Sequence, residues 1–150
     1  MPSAREVVER YARSLEAADL DAQDALLHED VVTVLPQSGE RFVGRANRRA
    51  MIENYPGSAE NPITGTVGQI VGRDEQWVMG PSFNITHITG SSDEYALSGT
   101  TTYPSGELWH NVELLKLRDG KIAHITAYFG QPFDAPAWRS QWVEQEDASE

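Results

Sequence analysis

The sequence contains no cysteine and is short of basic residues. Without cysteine there are no disulfides and no thiolate metal sites, which leaves His, Asp and Glu as possible metal ligands. Acidic side chains outnumber Lys and Arg by 23 to 12, and the formal net charge is -11. Such a charge repels phosphate backbones, so we expect no nucleic-acid partner.

Long apolar runs are also missing from the chain. No run approaches the roughly 20 residues that a membrane span needs, and the first residues, MPSAREVVER, lack the apolar segment of a signal peptide. We therefore expect a cytoplasmic protein that does not contact the membrane. The 150 residues suit a single domain over positions 1–150, with a frayed acidic tail at 144–150.

The first third of the chain predicts helices around one β-hairpin. Ser3 and Glu6 have the spacing of a capping box, and apolar residues then recur at helical spacing. A second short helix follows, with Asp21 as its expected N-cap. β-Branched residues and a Ser-Gly turn predict a hairpin over residues 31–43, and a third helix is expected over residues 46–55.

The remainder of the chain predicts a loop and then a β-meander. Residues 58–81 are interrupted by glycine and proline, and we assign them as a loop with one short strand or helix. Alternating apolar residues and turn signals then predict four antiparallel strands. These strands cover residues 82–89, 94–103, 107–117 and 121–129.

The last two strands, WHNVELLKLRDGKIAHITAYF, form the most informative hairpin. The Asp119-Gly120 pair predicts the turn, and one face of the hairpin is apolar except for Asn111 and Glu113. Burying Glu113 without a partner costs several kcal/mol or keeps it protonated. The acid is therefore either paired, with an arginine such as Arg10 or Arg139, or functional. The expected inward residues are Trp109, Asn111, Glu113, Leu115, Leu117, Ala123, Ile125, Ala127 and Phe129.

Together these elements predict an α+β domain in which a curved, mostly antiparallel sheet wraps three N-terminal helices into a cone, a cystatin-like roll. The order of elements resembles the nuclear-transport-factor-like cone fold, and within it the SnoaL-like polyketide cyclases and the ketosteroid isomerases. Residues 10–36, RYARSLEAADLDAQDALLHEDVVTVLP, and the terminal DGKIAHITAYF carry the resemblance. The fold hosts isomerases, cyclases, dehydratases and non-enzymatic binders.

The resemblance to the isomerases implies roles for particular residues. Tyr11 corresponds to the hydrogen-bonding tyrosine, Glu113 to the protonated acid of the oxyanion hole, and Phe129 to an aromatic residue of the pocket. The position of the general base is occupied by Leu35, which cannot take a proton. Steroid-type isomerisation is therefore not expected.

A second resemblance concerns His87. The segment FNITHITG around it is similar to a strand of the scytalone dehydratases that carries an acid-base histidine. His87 shares strand parity with Phe83 and Ile85, so we expect it to face the interior, although a structural histidine at a strand edge is the alternative. The second histidine of the dehydratases has no counterpart, because the next strand offers Thr101 and Tyr103.

Two functional hypotheses follow from these residues. In the first, the protein is a cofactor-independent enzyme, an isomerase, cyclase or lyase, acting on a hydrophobic oxygenated molecule: His87 moves the proton, Glu113 and Tyr11 donate hydrogen bonds, and no metal is needed. In the second, the same pocket binds a hydrophobic ligand without catalysis, or the domain is a dimeric assembly module. The expected substrate-binding residues are Leu35, Tyr103, Trp109, Asn111 and Phe129.

The outer face of the sheet is the expected surface of a homodimer. It is too apolar for a solvated surface, and we expect it to pair with its symmetry mate. Trp138 and Trp142, four residues apart, are expected to pack as a helical stripe that closes the cone or to make a dimer contact. The residues of the outer face are His110, Val112, Leu114, His124, Thr126 and Tyr128.

Overall fold

The computed structural model describes residues 2–54, 82–103 and 106–146. The predicted loop at 58–81, the expected end of the third helix near residue 55 and the last four residues of the tail lie outside these ranges. Within them, the elements are α1 (Ala4–Glu16), α2 (Leu20–Leu26), β1 (Leu27–Leu35), β2 (Glu40–Val43), α3 (Arg45–Glu53), β3 (Ser82–Ser91), β4 (Glu94–Thr102), β5 (Leu108–Arg118), β6 (Lys121–Gly130) and a 3-10 helix (Ala137–Trp142).

The described strands form one sheet in the order β2-β1-β6-β5-β4-β3. The β1 and β6 strands pair in parallel, and every other neighbouring pair is antiparallel. The predicted α+β architecture with a mostly antiparallel sheet is therefore confirmed. None of the described helices combines the length and the apolar character needed to cross a membrane.

A bulge in β3 contributes to the curvature of the sheet. The pairing of β3 with β4 shifts between Ile85 and His87, and a bulge of this kind bends its strand and increases the twist. Gly99 lies under this bulge, where an added Cβ would stand 2.0 Å from the carbonyl oxygen of Asn84. Only glycine permits the two strands to approach so closely at this point.

The α1 helix begins as predicted and lies with one face in the core. The side chain of Ser3 accepts a hydrogen bond from the Glu6 amide at 3.1 Å, as in a capping box. Its buried residues recur at helical spacing. They are Val7, Val8, Tyr11, Ala12, Ser14 and Leu15.

The start of α2 differs from the prediction. Its N-cap is Asp19 rather than Asp21, because the Asp19 side chain accepts from the Ala22 amide at 3.0 Å. Ala18, with φ of 54°, turns the chain directly before this cap. Asp21 lies inside the first turn, where its carboxylate pairs with Arg49 at 2.8 Å. The following strand also begins earlier than predicted, at Leu27 rather than residue 31.

The β5-β6 hairpin turns at Asp119 and Gly120, which have φ angles of 52° and 79° as the Asp-Gly signal predicts. Burial alternates along the whole of β5. In β6 the prediction is wrong at one point: Ile122 is fully buried and Ala123 is half-buried. The strand register shifts next to Leu117, and the extra residue reverses the parity at the start of β6.

The C-terminal segment does not pack into the described part of the fold. Trp138 and Trp142 in the 3-10 helix are 75% and 71% exposed, and Phe133 is 81% exposed. The prediction that the two tryptophans close the cone is therefore wrong for the isolated chain. Their predicted role in a dimer contact remains a prediction.

Candidate functional site

The candidate site is centred on Glu113, which β5 carries into the interior of the cone. Its side chain is fully buried, and the Tyr11 hydroxyl on α1 donates a hydrogen bond to its Oε1 atom at 2.8 Å. Tyr11 is also fully buried. Two residues that the sequence singled out, 102 positions apart, are thus joined by a direct hydrogen bond.

Arg48 on α3 is the third member of this buried network. Its Nη2 atom donates to the Tyr11 hydroxyl at 3.3 Å, and the guanidinium lies 5.8 Å from the centre of the Tyr11 ring. The prediction that an arginine such as Arg10 or Arg139 pairs with Glu113 is wrong. Arg10 is exposed on α1 and Arg139 is half-buried in the 3-10 helix, whereas Arg48 is fully buried beside Tyr11.

The charges of this network act in opposite directions on the acid. Burial raises the pKa of Glu113, because a desolvated carboxylate is costly, while the Arg48 charge and the Tyr11 hydrogen bond oppose the rise. Burial also raises the pKa of Tyr11, and the neighbouring Glu113 raises it further. Tyr11 therefore keeps its proton and acts as a hydrogen-bond donor.

Polar groups without partners lie next to this network. Asn111, two residues before Glu113 on the same face of β5, is buried. Its Oδ1 and Nδ2 atoms have no hydrogen-bond partner among the described residues, and the same holds for Glu113 Oε2 and Thr101 Oγ1. Buried polar atoms in native proteins are nearly always satisfied. This part of the interior is therefore suited to a polar ligand group or to bound water.

Apolar and aromatic side chains surround these groups. The Tyr103 and Trp109 rings meet edge to face, with their centroids 5.3 Å apart. Phe129 lies opposite Asn111 in the β5-β6 pair, and the centroid of its ring is 6.4 Å from that of Phe83. Leu35, at the position that the resemblance assigns to the isomerase base, is buried at the end of β1. The five predicted substrate-binding residues are thus all buried in the core. Asn111 is the amide among them, and the other four have aliphatic or aromatic side chains.

His87 does not join the site, and its predicted inward orientation is wrong. Its side chain is exposed, and its Nδ1 atom lies 3.1 Å from the hydroxyl of the adjacent Thr86. The β3 bulge inserts one residue after Ile85, so the side-chain alternation reverses and Ile88 takes the inward position. Among the described residues, no group of three or more His, Asp or Glu side chains could hold a metal ion.

Arg48 is the residue of the network that was not predicted from the sequence. A signal for it existed: Arg48 precedes Met51 by three positions and Ile52 by four, and both of these pack against the core. Residues at these spacings share one face of a helix. When a chain buries an acid, an arginine on the apolar face of one of its helices is a candidate for the opposite charge.

The chain belongs to the SnoaL-like domain family, whose sequence pattern matches residues 8–125. This confirms the resemblance that residues 10–36 and the final hairpin indicated. Among curated proteins, none is similar enough in sequence to match this chain.

Solved structures with the same fold cover nearly the whole chain. An NTF-2 like protein from Burkholderia xenovorans LB400 is 29% identical, with a TM-score of 0.70, and the match covers 96% of this chain and 95% of that one. A protein from Kribbella flavida DSM 17836, assigned as a ketosteroid isomerase, is 24% identical over 97% and 90% of the two chains, with a TM-score of 0.74. A protein from Xanthomonas campestris with a cystatin-like fold is 15% identical over 85% and 91%, with a TM-score of 0.61. The last two matches show the fold alone, which agrees with the predicted cystatin-like roll.

Proposed function

We propose that this protein binds a small, mostly apolar molecule carrying oxygen in the interior of the cone. The observation that supports the proposal is the pair of polar residues on the inner face of β5. Asn111 and Glu113 are buried, yet three of their polar atoms have no partner in the described part of the chain.

Buried polar atoms without hydrogen-bond partners destabilise a folded protein. Each unsatisfied buried donor or acceptor costs about 1–3 kcal/mol, and a ligand that supplies the missing hydrogen bonds recovers part of this cost. The aromatic rings of Trp109 and Phe129 on the same inner face would contact the apolar part of the ligand. This combination of apolar walls and a few converging polar groups is typical of small-molecule sites.

Thermal-shift and calorimetric titrations with matched probes test this proposal. Suitable probes are 2-tetralone, 2-tetralol, 1,4-naphthoquinone and 2-naphthol, which share an apolar bicycle and differ in their oxygen groups. We expect at least one to stabilise the protein and Asn111→Leu to weaken its binding by about tenfold, since one lost hydrogen bond is worth about 1.4 kcal/mol. Leu114→Ala, on the outer face, is the matched control and should bind normally.

The proposal would be contradicted if no probe bound and Asn111→Leu were simply more stable than the wild type. In that case the interior would be filled by the protein itself, and the amide would have no ligand to recognise.

Acid-base catalysis in the same site is the second candidate function. The raised pKa of Glu113 favours it, because a carboxyl group with a raised pKa keeps its proton to higher pH and is a stronger base once the proton has left. His87, which is exposed, has no part in this version of the hypothesis. The reaction class would be that of a cofactor-independent isomerase, cyclase or lyase.

Proton exchange at a ketone provides the test of catalysis. In D2O, the wild type should accelerate exchange of the α protons of 2-tetralone, followed by NMR, and Glu113→Gln should remove most of the acceleration, about 10²-fold or more. His87→Ala should exchange like the wild type. Equal rates with Glu113→Gln and the wild type would leave ligand binding as the function.

We also propose that two copies pair through the outer face of the sheet. Val112 and Leu114 on β5 are 38% and 44% exposed, and Tyr128 on the neighbouring β6 is 40% exposed. The face thus presents adjacent apolar side chains on paired strands, which is unusual for a solvated surface. A homodimer with two-fold symmetry would bury this face against itself.

A further inference from the structure

Arg48 is a buried cation to which the proposed function assigns no role. It lies on α3, is fully buried, and contacts Tyr11 through both a hydrogen bond and the face of the ring. Taking a guanidinium out of water is costly, and an apolar residue at this position would avoid that cost. The position of the charge beside the Tyr11-Glu113 hydrogen bond therefore calls for an explanation.

The chemistry of a guanidinium makes this chain of hydrogen bonds directional. Arginine has N–H donors and no acceptor, so the Tyr11 oxygen must accept from Arg48. The single proton of the Tyr11 hydroxyl is then donated to Glu113 Oε1. Because Oε1 is already an acceptor, a proton carried by Glu113 belongs on Oε2, which has no partner among the described residues.

We propose that Arg48 is a positioning residue, which acts through Tyr11 to leave Glu113 Oε2 as the donor that the site offers to the carbonyl oxygen of a ligand. This inference rests on the proposed function, and it names a carbonyl as the ligand group. Asn111 Nδ2, on the same face of β5, supplies a second donor beside it.

The groups that face Glu113 from the surrounding elements are few. Tyr11 approaches from α1 and Arg48 from α3, while the cross-strand neighbours are Leu97 on β4 and Ala127 on β6, which cannot titrate. In the described part of the protein, Tyr11 and Arg48 are therefore the two groups that control the protonation of Glu113.

The role of Arg48 can be tested without a ligand. Selective ¹³C labelling of glutamate, with Glu113→Gln to assign the signal, gives the pKa of Glu113 by NMR titration. Arg48→Met should raise that pKa, because the opposing positive charge is gone, and Arg48→Lys should restore part of the wild-type behaviour. Tyr11→Phe, which breaks the chain of hydrogen bonds and keeps the charge, should also raise it and serves if Arg48→Met fails to fold.

Arg49→Met is the matched control on the same helix. Arg49 pairs with Asp21 and Asp24, so its loss loosens the contact of α3 with α2 without touching Tyr11. We expect the titration of Glu113 to be unchanged in this variant. An unchanged titration in Arg48→Met and Tyr11→Phe, or an equal shift in Arg49→Met, would overturn the inference.

The ligand group is tested with 2-tetralone and 2-tetralol. The wild type should prefer the ketone, and its affinity should fall about tenfold for each pH unit above the titration of Glu113, because the donor on Oε2 is lost. Arg48→Met should move this fall to higher pH. Tighter binding of the alcohol would overturn the assignment to a carbonyl, whereas binding of neither probe would count against the proposed function and leave the NMR titration to decide the role of Arg48.

Discussion

The two faces of the β5 strand differ from the usual distribution of side chains in opposite ways. Its inner face buries an acid and an amide, Glu113 and Asn111, in the core of the cone. Its outer face presents Val112 and Leu114 to solvent, and the C-terminal 3-10 helix adds two exposed tryptophans elsewhere on the surface. Both arrangements are unfavourable for an isolated chain, but they indicate different partners.

The two faces reduce this unfavourable free energy in different ways. On the inner face, the Tyr11 hydroxyl, which accepts from Arg48, satisfies one oxygen of Glu113, and the atoms that remain suit a small polar group. On the outer side, the apolar area is spread over a broad surface, which suits another protein surface rather than a small molecule. The same strand thus carries a proposed ligand site on one side and a proposed dimer contact on the other.

The largest expected effect comes from removing an indole in each region. Trp109→Ala should lower the free energy of unfolding by about 3–5 kcal/mol, because the ring is fully buried against Tyr103. Trp138→Ala should change it by less than about 0.5 kcal/mol at low protein concentration, because that ring is 75% exposed. Urea unfolding followed by circular dichroism measures both, and equal losses would remove the contrast between the regions.

A charge on the outer face should break the proposed dimer. Val112→Asp should weaken association by about 2–3 kcal/mol, about 30- to 150-fold, since it places a carboxylate in an apolar contact. Sedimentation velocity at micromolar concentration should show a dimer for the wild type and a monomer for this variant. Ser92→Asp, in the exposed β3-β4 turn, adds the same charge and should remain dimeric, and a monomeric wild type would rule out the contact.

A smaller loss is expected when the hydroxyl is removed from the inner network. Tyr11→Phe should lower the free energy of unfolding by about 1–2 kcal/mol, because Glu113 loses a donor and Arg48 loses an acceptor. Urea unfolding gives the value. Tyr128→Phe, on the outer face, is the control and should be neutral within error; a neutral Tyr11→Phe would show that the inner network is already satisfied by other groups.

The last effect is confined to a range of pH. Because the pKa of Glu113 is raised in the folded protein, its stabilising contribution is complete below the ordinary carboxyl pKa of about 4.3 and is lost as pH rises through the folded value. The free energy of unfolding of the wild type should therefore fall relative to Glu113→Gln across that window. Unfolding curves for both proteins at a series of pH values test the sign, and a wild type that gained stability over the variant with rising pH would indicate a dominant ion pair with Arg48.

Several features of this protein followed from its sequence alone. The capping signal of Ser3, the Asp119-Gly120 turn and the alternation along residues 109–117 each depend on neighbouring residues, and the structure contains all three. The same local periodicity predicted that Asn111 and Glu113 would be buried. Helical and strand periods are local properties of the chain, so the α+β cone and its polar inner face could be predicted.

Tertiary structure decided the partner of the acid and the orientation of the histidine. The hydrogen bond from Arg48 to Tyr11 joins residues 37 positions apart, and it depends on where the tertiary fold places α3 relative to α1. His87 faces outward because the β3 bulge, which accompanies the close approach of β3 to Gly99, reverses the side-chain alternation. Bulges and helix packing result from contacts between distant segments, and local periodicity carries no information about them.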